Sequence, residues 1–284
     1  MKRPKKELLR AVVTDDPLRS LTRPVNLQIT AQRFALQQME LLGGLHGVTS
    51  LSSFNGTALS VSFRTATEQH TIGSAALVHP GLAITAKHVL ADWMGDVVAE
   101  RASIVCEAPR DQTLLLWDVE RVTTLPNADL ALLSLRGRSA LPAGNNFCVC
   151  RITTRLPRIG EALLICGFVP RRAVAQKASS MNIAGAMHIG HGKVTDVWPV
   201  SRDSVMLPST SFAVHCPAFG GMSGGAVFDA VGDLVAVLSS SLDGDDIAYC
   251  THVWPALVGS HGAEAWDFYY AARRFFSGNH GRKV

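Results

Sequence analysis

The sequence has no run of 18 or more apolar residues, which sets aside a membrane-spanning helix. It also lacks a secretory h-region. The basic start leads into the polar stretch Thr14-Asp15-Asp16, so no export signal is expected and the cytosol is the default compartment. No low-complexity tract or short-period repeat occurs, which argues against a solenoid or a fibrous protein. Charged residues are sparse at 18% and hydrophobic ones reach 47%, a globular composition far from that of a disordered chain. An excess of one charge is missing as well, once the net +4 is located. Residues 1–10 hold Lys2, Arg3, Lys5, Lys6 and Arg10 against Glu7 alone, which equals the whole excess. The remaining body is balanced, so no nucleic-acid partner is expected. Cysteines number only six (Cys106, Cys148, Cys150, Cys166, Cys216 and Cys250), and without an export signal they read as free thiols.

What is present is a series of short apolar segments. The 284 residues suit two lobes of about 100 to 120 residues. Residues 1–45 read as an extension, charged and interrupted by Pro4, Pro17 and Pro24. Within it Phe34, Met39, Leu41 and Leu42 suggest a short helix over 28–42, stopped by Gly43-Gly44. From 46 to 140 the pattern is strands and turns: Ala58–Phe63 alternates, Ala75–Val78 is an apolar run, and His79-Pro80-Gly81 turns into Leu82-Ala83-Ile84. Residues 139–146 read as a linker. From 141 to 284 the style repeats, with strands expected at 147–152, 162–166, 192–200, 212–215, 226–229 and 234–239. Many short strands without interleaved helices predict an all-β protein of barrels or sandwiches. Ala265, Phe268, Ala272 and Phe275 share one helical stripe, which predicts a C-terminal helix over 262–276.

Three local motifs carry chemistry. In Gly81-Leu82-Ala83-Ile84-Thr85-Ala86-Lys87-His88-Val89 an apolar strand ends in a turn bearing a histidine. In Asn127-Ala128-Asp129-Leu130-Ala131-Leu132-Leu133 a carboxylate heads a buried strand. In Gly220-Gly221-Met222-Ser223-Gly224-Gly225-Ala226-Val227 a serine lies in a glycine-rich turn. A serine hydroxyl is a weak nucleophile at neutral pH and needs a base beside it. Histidine can take and return that proton, and a buried carboxylate fixes the ring's tautomer. Glycines beside the serine let backbone N–H groups converge where an oxyanion would form.

These motifs resemble those of the trypsin-like (chymotrypsin-fold) serine peptidases, particularly bacterial members with a Gly-x-Ser-Gly-Gly turn. The order His, Asp, Ser matches, with 41 residues between the first pair and 94 between the second. Supporting matches run from Thr71–Val78 through Cys166-Gly167-Phe168-Val169-Pro170, similar to a turn of the second lobe, to Val235–Ser241. The resemblance implies two six-stranded antiparallel β-barrels, with His88, Asp129 and Ser223 as the triad. It implies an oxyanion hole at the N–H groups of Gly221 and Ser223. It places Pro217 and Ala218 at the base of the primary pocket, and Ser239, Ser240 and Ser241 along a substrate-pairing edge. No acid stands at that base, so apolar side chains are expected there, with Asp243, Asp245 and Asp246 as rival neighbours. The implied partner is a protein or peptide substrate, with no metal, organic cofactor or membrane. A silent double-barrel scaffold and an esterase on the same fold stand as alternatives. Met222 occupies the place where secreted zymogens of the family carry an aspartate, which implies that no cleavage is needed for activation. Cys216 and Cys250 lie near, but offset from, a pocket disulfide of secreted relatives, and read as reduced. His188-x-x-His191 invites a zinc reading, set aside because Gly190 and Gly192 suggest a loop.

Overall fold

The computed structural model describes residues 6–13, 25–33, 44–47, 54–65, 68–110, 113–139, 146–170, 185–241, 246–258 and 264–267. Strands β1 (Lys6–Val13), β2 (Val25–Arg33) and β3 (Gly44–Gly47) come first. The first lobe follows with β4 (Ala58–Arg64), β5 (Gln69–His79), β6 (Leu82–Thr85), β7 (Ser103–Arg110), β8 (Thr113–Thr124) and β9 (Ala131–Gly137). Short strands β10 (Asn146–Val149) and β11 (Arg151–Ile152) lead across to the second lobe. Its strands are β12 (Ala162–Pro170), β13 (Gly185–Trp198), β14 (Ser211–His215), β15 (Ala226–Phe228), β16 (Asp233–Ser241) and β17 (Ile247–His252). β18 (Glu264–Asp267) comes last, and the helices are single turns: α1 (His88–Ala91), α2 (Met94–Val98) and α3 (Trp254–Leu257). No helix among the described residues is long and apolar enough to cross a membrane.

Each lobe closes on itself. In the first, β4 pairs with β5 and β7, β5 with β6, β6 with β9, and β9 with β8, which returns to β7. The second repeats that order: β12 with β13 and β15, β13 with β14, β14 with β17, and β17 with β16, which returns to β15. All twelve pairings are antiparallel, so these are two closed six-stranded barrels of one topology. Closure gives every barrel strand a partner on both sides over part of its length.

The seam between the lobes explains why β12 reads as nearly continuous apolar sequence. Leu163 and Ile165 join the second barrel's interior, while Leu164, Cys166 and Phe168 pack in the first lobe's cluster. Both faces are covered, so the usual apolar–polar alternation disappears. Polar stitches cross the same seam: Ser74 Oγ accepts the Phe168 N–H at 2.7 Å, and Cys150 N–H donates to Leu77 O at 2.8 Å.

Several expectations need correction. The helix over 28–42 fails across 28–33, where β2 pairs with β1 throughout and with β10 at one end. Val25, Leu27, Ile29 and Ala31 alternate with Asn26, Gln28, Thr30 and Gln32, and this period of two prevailed over the apolar residues further along. Residues 34–42 lie outside the described set. The C-terminal helix fails across 264–267, since β18 pairs with residues 121–124 of β8. β7 pairs with β8 only through Asp118, so the later part of β8 offers an open edge to an extended segment. Residues 268–276 are outside the described set. Cys166–Pro170, matched to a turn, continues β12 as strand. β13 begins at Gly185, so His188 and His191 belong to a strand and not a loop. Three residues apart on a strand, they face opposite sides of the sheet and cannot share one ion.

Candidate active site

The histidine turn is fixed by burial on both sides. Thr85 is buried, and its hydroxyl donates to Ser74 O at 2.6 Å. Ala86, Val89 and Leu90 sink into the first lobe's core, which turns His88 outward with its side chain 47% exposed. Asp129 sits in the tight turn between β8 and β9, where Leu125 N–H donates to Leu130 O at 3.0 Å. Its buried neighbours Ala128 and Leu130 anchor the turn and hold the carboxylate only 11% exposed. One oxygen, Oδ1, accepts the His88 backbone N–H at 3.0 Å. The other, Oδ2, lies 2.9 Å from His88 Nδ1. With Nδ1–H donating to the carboxylate, Nε2 keeps its lone pair for an incoming proton.

Three backbone N–H groups hold the serine turn, and those of Gly220, Gly221 and Ser223 are not among them. Met222 N–H donates to Phe219 O at 3.1 Å, Gly224 N–H to Leu238 O at 2.7 Å, and Gly225 N–H to Met222 O at 2.9 Å. The N–H groups of Gly221 and Ser223 have no hydrogen-bond partner among the described residues. Both neighbouring glycines are required by shape. Gly221 has φ +92°, and a Cβ there would lie 2.1 Å from Pro170 Cδ. Gly224 has φ +79°, and its Cβ would meet Ser74 O at 2.1 Å. Met222 is fully buried in the second barrel's core, between these two constrained positions.

The two lobes bring these turns together at Gly73. A Cβ on Gly73 would lie 2.6 Å from Val89 Cγ1 and 3.0 Å from Ser223 O, and the next N–H, of Ser74, donates to Ser223 O at 2.8 Å. The Ser223 hydroxyl donates to Ser239 O at 3.3 Å and makes no hydrogen bond to His88 among the described residues. A cavity of about 210 Å³ opens here, lined by His88 and Asp129 of the first lobe and Ser239 of the second.

Of the remaining anticipated residues, Pro217 and Ala218 are half-buried, and Ala218 packs against the second barrel's core. Beyond Leu238, β16 no longer has β15 beside it and keeps only β17, so Ser239, Ser240 and Ser241 present an edge next to Ser223. The Ser239 side chain is buried and shares a 2.6 Å hydrogen bond with Thr251. Asp243 and Asp245 lie outside the described residues. Among the described residues no three metal-binding side chains converge. All six cysteines are buried free thiols, Cys216 and Cys250 included, and burial raises the Cys216 thiol to about 12. Sequence reasoning missed Val205, Met206 and Pro208, which line the cavity together with Ala91 and Ala128. The signal was there in Val205-Met206-Leu207-Pro208, an apolar run inside a stretch otherwise rich in turn residues.

Comparison with known proteins identifies the fold and the family. Three solved structures share the fold at low sequence identity. Deg5 is 14% identical with a TM-score of 0.52, covering 72% of this chain and 87% of its own. The apo MamO protease domain from Magnetospirillum magneticum is 17% identical with a TM-score of 0.50, covering 72% and 95%. The active form of the Rv3671c protease from M. tuberculosis is 12% identical with a TM-score of 0.51, covering 73% and 83%. No curated protein matches the chain. The trypsin-like peptidase domain profile matches residues 73–237, more than half of the sequence, from within β5 to within β16. The chain therefore belongs to the trypsin-like peptidase domain family.

Proposed function

We propose that this protein is a serine endopeptidase that hydrolyses peptide bonds through an acyl-enzyme on Ser223. The observation that carries the reading is that the N–H groups of Gly221 and Ser223, on either side of the bonded Met222 N–H, have no hydrogen-bond partner among the described residues. Donors held in place and unoccupied are what a developing oxyanion needs, and each is worth about 100- to 1,000-fold in rate. His88 takes the Ser223 proton at Nε2 as the hydroxyl attacks the substrate carbonyl. Asp129 steadies the imidazolium that results. The proton then passes to the leaving amine, and a water, deprotonated by His88, releases the acid and restores Ser223. No metal or organic cofactor enters these steps. Substrate lies along Ser239–Ser241 as an added strand, and Pro217 and Ala218 receive an apolar side chain at the scissile bond.

The hydrogen bond from Ser223 to Ser239 O favours a second reading, a double barrel that binds peptides without turning them over. A rotation about the Ser223 Cα–Cβ bond separates this rotamer from one that reaches an acceptor elsewhere. Incubation with a mixture of unstructured peptides, followed by mass spectrometry, decides between the two. New termini that vanish with Ser223→Ala support the peptidase, and intact peptides retained by the folded protein support the binder.

A further inference from the structure

The loop from 199 to 210, between β13 and β14, is held by contacts that do not involve the side chains of Val205 and Met206. Leu207 is fully buried, and the Arg202 N–H donates to Leu207 O at 3.1 Å. The Asp203 carboxylate accepts the N–H groups of Val205 at 2.9 Å and Met206 at 2.6 Å. The Arg202 guanidinium stacks 4.2 Å from the centre of the Tyr249 ring, and Thr210 Oγ1 donates to Pro199 O at 2.7 Å. Val205 and Met206 nevertheless stand 81% and 55% exposed. They line the same cavity as His88, Asp129 and Ser239.

We infer that Val205, Met206 and Pro208 form the wall of an apolar subsite for the substrate residue second before the scissile bond. This rests on the peptidase reading above. A peptide added to the Ser239–Ser241 edge is extended, so successive side chains point to opposite faces. The residue whose carbonyl meets Ser223 points toward Pro217 and Ala218. Its predecessor then points the other way, to the side of His88. The turn of Asp129 contributes only Ala128 and Asp129 itself to the cavity, too little to build an apolar wall there. The wall comes instead from the second lobe, lining the cavity together with Ala91 and Ala128. The class of residue it accepts is a branched aliphatic one, which would cover surface that now faces water.

The test measures kcat/KM for three peptides that differ only at that second position, carrying leucine, glycine or glutamate, in wild type and in the double variant Val205→Lys, Met206→Lys. The ratio is taken within each protein, so a partly folded variant does not distort it. Wild type is expected to favour leucine by about tenfold or more, the scale on which apolar pockets discriminate. The variant is expected to lose that preference and to favour glutamate. A wild-type ratio near one, or a leucine preference that survives in the variant, overturns the subsite. Failure of the wild type to cleave any of the three peptides, or to take a serine-directed probe, overturns the subsite together with the peptidase reading.

Discussion

At the scale of single residues, the account stands on a few side chains with distinct duties. Ser223→Ala and His88→Ala should each lower kcat/KM by at least about 10⁴-fold while the melting temperature holds, because members of a proton-transfer unit fail together. Asp129→Asn should cost about 10⁴-fold, since an amide cannot hold the histidine in the same tautomer. Steady-state hydrolysis of one fluorogenic peptide checks all three, and a variant retaining a tenth of wild-type activity would exclude its residue from the unit. Met222 makes a different kind of claim. It is fully buried between Gly221 and Ser223, in a cluster with Ile165, Val227 and Leu238. Met222→Leu should change stability by less than about 1.5 kcal/mol. Met222→Asp should cost several kcal/mol, because it buries a carboxylate among apolar groups. Denaturant midpoints for the two variants separate the cases; equal midpoints would mean that the turn opens to water.

At the scale of elements, the strands that carry the site were legible because their sequence signals agree. Apolar strands end in Thr85-Ala86 and begin at Ala131, and glycines surround Ser223 where the backbone takes positive φ. The expected C-terminal helix fails because a partner, not local pattern, decides structure there. β18 is extended through pairing with the open end of β8, a contact more than a hundred residues away in sequence. The cavity wall at Val205–Pro208 was missed for a similar reason: an exposed apolar loop has meaning only beside the His88 turn that the fold brings to it. The segment joining β11 to β12 gives a testable energetic detail. Arg155 donates to both oxygens of Glu161, at 2.8 and 2.6 Å, and to Asp229 at 3.2 Å. The Arg155 hydrogen bonds hold the Glu161 carboxyl below its ordinary range, against the opposing effect of burial. A carboxyl lowered in the folded state stabilises above its unfolded pKa of about 4.3, and that contribution fades as pH falls through the lowered value. Wild type should therefore lose stability below about pH 4 more steeply than Glu161→Gln, as read from urea midpoints across acidic pH. Parallel pH profiles would contradict this role.

At the scale of the whole molecule, two barrels of identical pairing order meet along β5 and β12, and the site lies on that seam. His88 and Asp129 come from one barrel and Ser223 and its turn from the other, tied by the Ser74–Ser223 bond. The double barrel was legible through the resemblance of three short motifs, whereas strand composition alone left barrels and sandwiches open. Among the described residues β1 pairs only with β2, so removing residues 1–25 should leave peptide hydrolysis within about twofold of the full chain. A full-length protein that stays silent until it is clipped in that segment would show that the N-terminus controls the site. The proposed function stands or falls on Ser223 being a nucleophile activated across the seam, and intact-mass analysis after treatment with a fluorophosphonate measures that. The account predicts one adduct, mapped to Ser223 after digestion, absent in Ser223→Ala and strongly slowed in His88→Ala. A folded wild-type protein that gains no mass, or gains it on another residue, would contradict the account.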